Sequence, residues 1–278
     1  MAADSHQHPA KRAGWYVLLT VLSVVVLFPV YMALVRALST ATPYILSGSP
    51  PYPLEVQWDV WSRAFTLGGL GSKLLVSIAV TTIIVTAQLA TSILAAYAFA
   101  FLRFPGRRLL FVVFMATLLL PIEVTLIPNF GLMQRWGLMN SIPGLTLPFL
   151  ATAFGTFLIR QGFLGVPRDL RDAAALDGFG HLAFVRRVAI PVTRPVIASF
   201  TVIAFLGAWN QYTWPRAVIT ESQYQTVQIG LRTLTSQSLE TSNYAFAGAL
   251  IAALPVIFLL IVFQRHLIRG LTAGAVKG

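Results

Sequence analysis

The stretch RDLRDAAALDGFGHLAFVRRVAIPVTRPVI (Arg168–Ile197) is the part of this 278-residue chain whose reading decides the fold. It is dense in charge, with Arg168, Asp169, Arg171, Asp172, Asp177, Arg186, Arg187 and Arg194. Yet it stands between two segments apolar enough to live in lipid. Pro167 suits the first turn of a helix, where its missing N–H is not needed. Asp169 and Asp172 then fall in the early turns, where the helix dipole favours acids. Leu170, Ala173, Ala174 and Asp177 are spaced to share one helix face, and small Ala side chains let a partner's backbone approach closely. Gly178 ends the helix in a conformation that other residues resist. A second helix is predicted over about Phe179–Ala189, with Pro191 and Pro195 leading into the next apolar segment. On these residues alone two readings stand: a helix-turn-helix docking element beneath a membrane, or a solvated loop with snorkelling flanks.

The surroundings favour a membrane. The chain is 56% hydrophobic and 10% charged, with a mean hydropathy of +0.75. A soluble domain needs more polar surface than that. Apolar runs of about 20 residues recur, the length that crosses about 30 Å of hydrocarbon. Six spans are expected, at roughly 14–36, 74–102, 109–127, 142–165, 195–217 and 244–264. The first is longer than a signal-peptide core and is read as an uncleaved anchor. The expected organisation is a cytoplasmic tail (1–13), a six-span domain (14–264) containing the cytoplasmic loop 167–194, and a cytoplasmic C-terminal tail (265–278).

The basic residues orient the chain. With the N-terminus inside, the inner segments hold all of the 20 Lys and Arg residues except Arg36, Arg63, Lys73, Arg135, Arg216 and Arg232. That is the bias of the positive-inside rule, and it makes a nucleic-acid partner unnecessary despite a net charge of +11. Two outer segments are long. Residues 37–73 carry Trp58 and Trp61 and suggest a loop plus an interfacial helix; residues 218–243 form the second.

Polar groups within the spans are the candidates for function. Ser77, Thr81, Gln88 and Ser92 share one helix face and call for interhelical hydrogen bonds or a watery cavity. Glu123, in LLLPIEVTLIP, is the only acid inside an expected span. A mid-bilayer carboxylate costs about 2.5–3.5 kcal/mol, so Glu123 needs a cavity or a partner Arg. Pro121 and Pro128 suggest a distorted helix around it. Span five ends in GAWNQYTWPR (Gly207–Arg216). Trp209, Tyr212 and Trp214 suit an aromatic belt, whereas Asn210 and Gln211 also suit a hydroxylated ligand.

Catalytic chemistry is not visible. There is no Cys, and His6, His8, His181 and His266 are scattered, so no metal set is expected. GGLGSK (Gly68–Lys73) lacks the ending of a phosphate loop. No triad or paired carboxylates appear. The chain is therefore expected to be non-catalytic, and an energy-driven protein with this sequence needs its nucleotide site on another chain.

DAAALDGFGHLAFVRRVAIP resembles the cytoplasmic signature loop of permeases in bacterial ATP-binding-cassette (ABC) importers. Ala173-Ala174 and Asp177-Gly178 match its pattern, while Asp172 replaces a Glu and Phe179 an Ala. LFPVYMALVRA, RFPGRR, LLPIEVTLIP, GLTLPF, FLIRQGFLGVPRDL, WNQYTWP and QRHLIRGL extend the similarity along most of the chain. The resemblance is to the smaller permease of the maltose-type carbohydrate importers. LLPIEV, LIRQ and WNQYTWP bring it nearest to the second permeases of sn-glycerol-3-phosphate (glycerophosphodiester) importers.

The resemblance implies an all-α polytopic fold of the type I ABC importer class, in the bacterial cytoplasmic membrane with both termini cytoplasmic. It implies a heterodimer with a second permease and two copies of an ATPase subunit, which alone bind ATP and Mg. An extracytoplasmic substrate-binding protein would deliver the ligand. Asp172, Ala173, Ala174, Asp177 and Gly178 would then couple to the ATPase, and the C-terminal tail would also reach it. Glu123, Trp209, Asn210, Gln211, Tyr212 and Trp214 would line the substrate path. A phosphate would call for cations or amides, with Arg36 and Arg216 as further candidates. Glu123 would better meet a hydroxyl or the quaternary ammonium of a glycerophosphocholine. A neutral sugar or oligosaccharide importer of the same architecture remains open, and an ion-coupled secondary carrier is the more distant alternative.

Overall fold

The computed structural model describes residues 9–67, 69–235 and 242–272, with side chains at 13–66, 69–121, 123–234 and 242–265. His6, His8, the His266 side chain and residues 236–241 and 273–278 of the outer and C-terminal segments lie outside the described residues. In chain order the helices are α1 (Pro9–Leu38), α2 (Ala41–Leu46), α3 (Val60–Leu67), α4 (Leu70–Phe101), α5 (Arg107–Ala116) and α6 (Ile122–Arg135). They continue with α7 (Ile142–Thr146), α8 (Ala153–Leu164), α9 (Arg168–Leu176), α10 (His181–Phe184) and α11 (Ile190–Val192). The last are α12 (Arg194–Trp209), α13 (Thr213–Val218), α14 (Val227–Thr235) and α15 (Ser242–Thr272). Among the described residues the only extended pairing is a single bridge between Ser39 and Val56.

Three helices are long and apolar enough to cross a membrane singly: α1 over Ala13–Leu38, α4, and α15 over Ser242–Arg265. Three further spans are bent pairs, with angles of 99° between Arg107–Leu119 and Glu123–Arg135, 48° between Ile142–Phe149 and Ala153–Leu164, and 84° between His181–Val192 and Arg194–Val218. Counting each pair once gives six. The spans expected at 109–127 and 142–165 are therefore broken within their length, as the prolines beside Glu123 suggested for the first, whereas the bend of the third pair lies just ahead of the span expected at 195–217. The first breaks because Pro121 has no N–H to continue the ladder, and it stands extended at φ −60, ψ 140. The second breaks at an extended Thr152 (φ −144, ψ 134). The helix expected to stop at Ala189 does not stop. It widens into a π-turn over Val185–Ala189, runs through Pro191 in α11, and bends only at Thr193.

The chain divides into two compact units. The first holds residues up to Leu70 together with Leu231–Ala252. Its centre is Arg36, which donates to the carbonyl of Ala41 at 3.3 Å and to the Ser242 hydroxyl. The same guanidinium lies 5.0 Å from the Tyr44 ring centroid and 5.9 Å from that of Phe246. Tyr44 is buried and donates its hydroxyl to Pro50 O at 2.9 Å, fastening the outer loop. By contrast, residues 13–31 of α1 are all exposed, so their apolar face is left for lipid or another subunit.

The second unit, Gly71–Gly230 with Ala253 onward, holds two apolar clusters. One joins Val85, Ile159, Phe163, Ala174, Phe184 and Phe200; the other joins Val80, Ile84, Met133, Leu145, Trp214 and Val218. The polar face of α4 lies between helices. Ser77 Oγ accepts from Val227 N at 2.8 Å, and Gln88 Nε2 donates to Phe149 O at 2.8 Å. Gly155 lets α8 approach its neighbours, since a Cβ there would stand 2.2 Å from Phe200 Cζ and 2.5 Å from Ser92 Oγ.

Candidate functional site

The break at Pro121 starts α6 at Ile122 and puts Glu123 in its first turn. Unpaired backbone N–H groups and the positive end of the dipole favour a carboxylate there. Glu123 is exposed and forms no ion pair among the described residues, so it is not half of a structural pair with Arg. On the facing side α12 ends at Trp209 with Asn210 as its cap, and the chain passes through Gln211 and Tyr212 in non-helical conformation before α13 begins. That unwound passage holds its polar side chains close together instead of spreading them around a helix.

The two segments enclose a cavity of about 290 Å³ within the second unit. Its walls include Glu123, Asn129, Asn210, Gln211, Tyr212 and Thr213, with Phe149 and Trp214 as apolar panels. Trp214 is fixed: its ring meets Phe149 edge-on at 5.9 Å, and its indole nitrogen donates to Gly144 O at 3.1 Å. Gln211 Oε1 is buried without a hydrogen-bond partner among the described residues. A buried acceptor left open is uncommon in a folded protein and marks a place where a donor belongs. The walls offer a carboxylate, amides and hydroxyls, and no cation is among them.

Five of the six sequence-derived path residues, Glu123, Asn210, Gln211, Tyr212 and Trp214, come together at this cavity. Trp209 does not. It is 2% exposed and stacks on Phe205 with centroids 5.6 Å apart, because the last turn of α12 faces the core. Arg216 is exposed and is not a wall of the cavity, and Arg36 is engaged inside the first unit. Sequence reasoning missed Asn129, six positions on from Glu123 in α6; a further polar residue in the same apolar stretch was the available signal.

The second candidate region is the loop that opened the sequence reading. Pro167 stands one residue ahead of the helix, as the extended cap of α9. Gly178 has φ +74, with its N–H on Ala175 O at 3.1 Å and that of Phe179 on Ala174 O at 2.9 Å. This is the Schellman arrangement, which a left-handed residue makes possible. Asp172, Ala173 and Asp177 are exposed, but Ala174 is buried among Phe163, Phe184 and Ala189. The face expected to be offered whole to a partner is therefore divided, and Ala174 roots the loop in the chain's own core. Leu176 and Leu182, 90% and 73% exposed, flank the turn and were not singled out from sequence. Beneath them Tyr97 and His181 share a 2.5 Å hydrogen bond at a hollow of about 420 Å³.

Comparison with known proteins identifies the fold and the family. A family described as binding-protein-dependent transport system inner membrane component matches residues 88–273. The chain is 32% identical over 274 residues to the sn-glycerol-3-phosphate transport system permease protein UgpE of Rhizobium meliloti (strain 1021), covering 95% of this chain and 97% of the relative. It is 32% identical over 276 residues to the protein of that name from Agrobacterium fabrum (strain C58 / ATCC 33970), covering 95% and 96%. A chain of a bacterial ABC transporter involved in the import of the acidic polysaccharide alginate has the same fold, with a TM-score of 0.79 at 22% identity, over 95% of this chain and 99% of that one. A second chain, from the bacterial alginate ABC transporter in complex with an alginate pentasaccharide-bound periplasmic protein, gives a TM-score of 0.59 at 13% identity, over 92% and 93%. The chain thus has the type I ABC importer permease fold and belongs to the family of binding-protein-dependent transport system inner membrane components, as a multi-pass, non-catalytic permease subunit of an ABC importer.

Proposed function

We propose that this permease forms, with a second permease subunit, the translocation pathway for sn-glycerol-3-phosphate or a glycerophosphodiester such as glycerophosphocholine. The observation that carries the reading is the convergence of Glu123, Asn210, Gln211 and Tyr212 on one small cavity with an open buried acceptor at Gln211 Oε1. Glycerol hydroxyls supply donors to that oxygen and to the Glu123 carboxylate. Amide N–H groups of Asn210, Gln211 and Asn129 suit the phosphate oxygens, and Glu123 suits a quaternary ammonium. The names of the relatives agree in substrate class.

The ligand arrives from an external binding protein, and two ATPase subunits holding ATP and Mg drive the cycle. They dock on the loop around Asp172, Ala173, Asp177 and Gly178, with Leu176 and Leu182 as its apolar knobs. Both termini, and that loop, face the cytoplasm, consistent with the distribution of basic residues. One observation favours a second reading. Walls without a cation fit a neutral polyol or oligosaccharide as well as a phosphate ester.

Uptake of labelled glycerol-3-phosphate, glycerophosphocholine and maltose by cells carrying the whole transporter tests the proposal. Uptake of either phosphate compound is expected. Uptake of maltose alone would leave the importer intact and reject the substrate.

A further inference from the structure

The turn between α4 and α5 gathers arginines in a way that orientation in the membrane does not require. Charges that only orient a chain spread into water, each on its own. Here Arg107, Arg108 and Arg160 line one hollow of about 410 Å³, together with Phe99, Phe111 and Val112. Arg160 is held in place from two sides: its Nε donates to Phe99 O at 3.2 Å, and its guanidinium lies 4.2 Å from the Phe111 ring centroid. Arg107 donates to Leu102 O at 2.8 Å. None of the three forms an ion pair among the described residues. The N-terminus of α5 adds to the field, with no side-chain cap and no acid in its first turn. Cations at that end of a helix are unfavourable unless an anion joins them. The hollow is therefore a cradle of one sign, lacking its counter-charge.

Its surroundings say what kind of anion belongs there. Phe99 packs against Phe104, Phe111 and Phe114, with centroids 6.1, 5.3 and 6.2 Å away, forming a rigid apolar wall. From the hollow the exposed side of α5 runs on as Leu109 and Val112, 68% and 63% exposed. A small soluble anion has no use for such a face. A molecule with a phosphate at one end and acyl chains at the other matches both parts.

We infer that Arg107, Arg108 and Arg160 form a binding site for an anionic phospholipid, its phosphate between the guanidinium groups and its acyl chains along Leu109 and Val112. Basic hollows between membrane helices take acidic headgroups by this chemistry.

The test uses the complete transporter with its partners, reconstituted in vesicles of equal parts phosphatidylglycerol and phosphatidylcholine, re-extracted, and weighed with retained lipid by native mass spectrometry. Phosphatidylglycerol is expected to be enriched on the wild-type complex. Enrichment should fall about fivefold for each arginine neutralised, beginning with Arg108→Gln, which is exposed and leaves folding intact. The double variant Arg107→Gln/Arg160→Gln should lose about 25-fold of that enrichment. Arg194→Gln, an exposed arginine outside the hollow, should keep full enrichment. Equal retention by the wild type, enrichment surviving in every variant, or the same loss in Arg194→Gln would each overturn the site. Displacement of the lipid by millimolar inorganic phosphate would reassign it to a free anion. Loss of the ATPase from the Arg108→Gln complex at unchanged lipid retention would reassign it to protein docking.

Discussion

The indole N–H of Trp214 donates to the backbone carbonyl of Gly144 at 3.1 Å, in buried surroundings, and ties α13 to α7 across 70 positions of sequence. Gly144 has no room for a side chain: a Cβ there would stand 2.0 Å from Leu138 O. One wall of the cavity is thus fixed by a hydrogen bond at one end and by backbone packing at the other.

Trp214→Phe keeps an aromatic ring beside Phe149 but leaves the Gly144 carbonyl without its donor. An unsatisfied buried acceptor costs about 1–3 kcal/mol. The thermal midpoint of the purified transporter is expected to drop, and an unchanged midpoint would show that the bond does not hold the wall.

Replacing Glu123 with Gln keeps shape and removes charge at the mouth of α6. The KM for the transported glycerophosphate compound should change several-fold, as expected when a hydrogen bond to a charged group worth about 1.5–3 kcal/mol is weakened. Basal ATP hydrolysis by the assembled complex should stay the same. Identical uptake kinetics for all three candidate substrates would make Glu123 a structural residue only.

At Gly155 the prediction concerns packing. Gly155→Ala pushes a methyl group against Phe200 and Ser92, and overpacking of this kind costs about 1–3 kcal/mol. Lower yield in the membrane fraction is expected, with recovery in the double variant Gly155→Ala/Phe200→Leu. Failure of the second change to restore yield would place the defect elsewhere.

Gly178→Asp alters the left-handed cap of the loop and adds a negative charge beside Asp177. Uptake should fall at least about fivefold, the scale of a lost coupling energy, while the protein still reaches the membrane. Normal uptake at normal expression would remove the loop from the coupling role.

What could be read from sequence was local chemistry. Gly178 and the acids of α9 obey rules that act within a turn or two, so the loop was legible before any packing was known. Polar residues in an apolar context were equally visible, and this is why Glu123 and Asn210–Tyr212 could be marked although 87 positions separate Glu123 from Asn210. Direction was harder. Trp209 and Trp214 look alike in sequence, yet one closes the last turn of α12 against the core and the other closes a cavity. Ala173 and Ala174 are neighbours with opposite surroundings for the same reason. The break at Pro121 was signalled by the prolines beside Glu123, but the bends at Thr152 and Thr193 were illegible, because hydropathy counts apolar residues and does not register a change of helix direction.

The break at Pro121 has a consequence for solvent. Wherever a helix stops and another starts, backbone N–H and C=O groups lose their intrahelical partners. In hydrocarbon each such group costs several kcal/mol, so a discontinuity at membrane depth survives only beside protein or water. Pro121, with Glu123 two residues on and the cavity next to it, therefore has to stand where protein or water can meet the freed groups. On the proposed pathway a ligand entering a wetted cavity would exchange with water, and the carboxylate and amides would keep hydration partners through the exchange. Part of the work of stripping a polar solute of its water would then be spread over many small steps, each compensated by a group already wet.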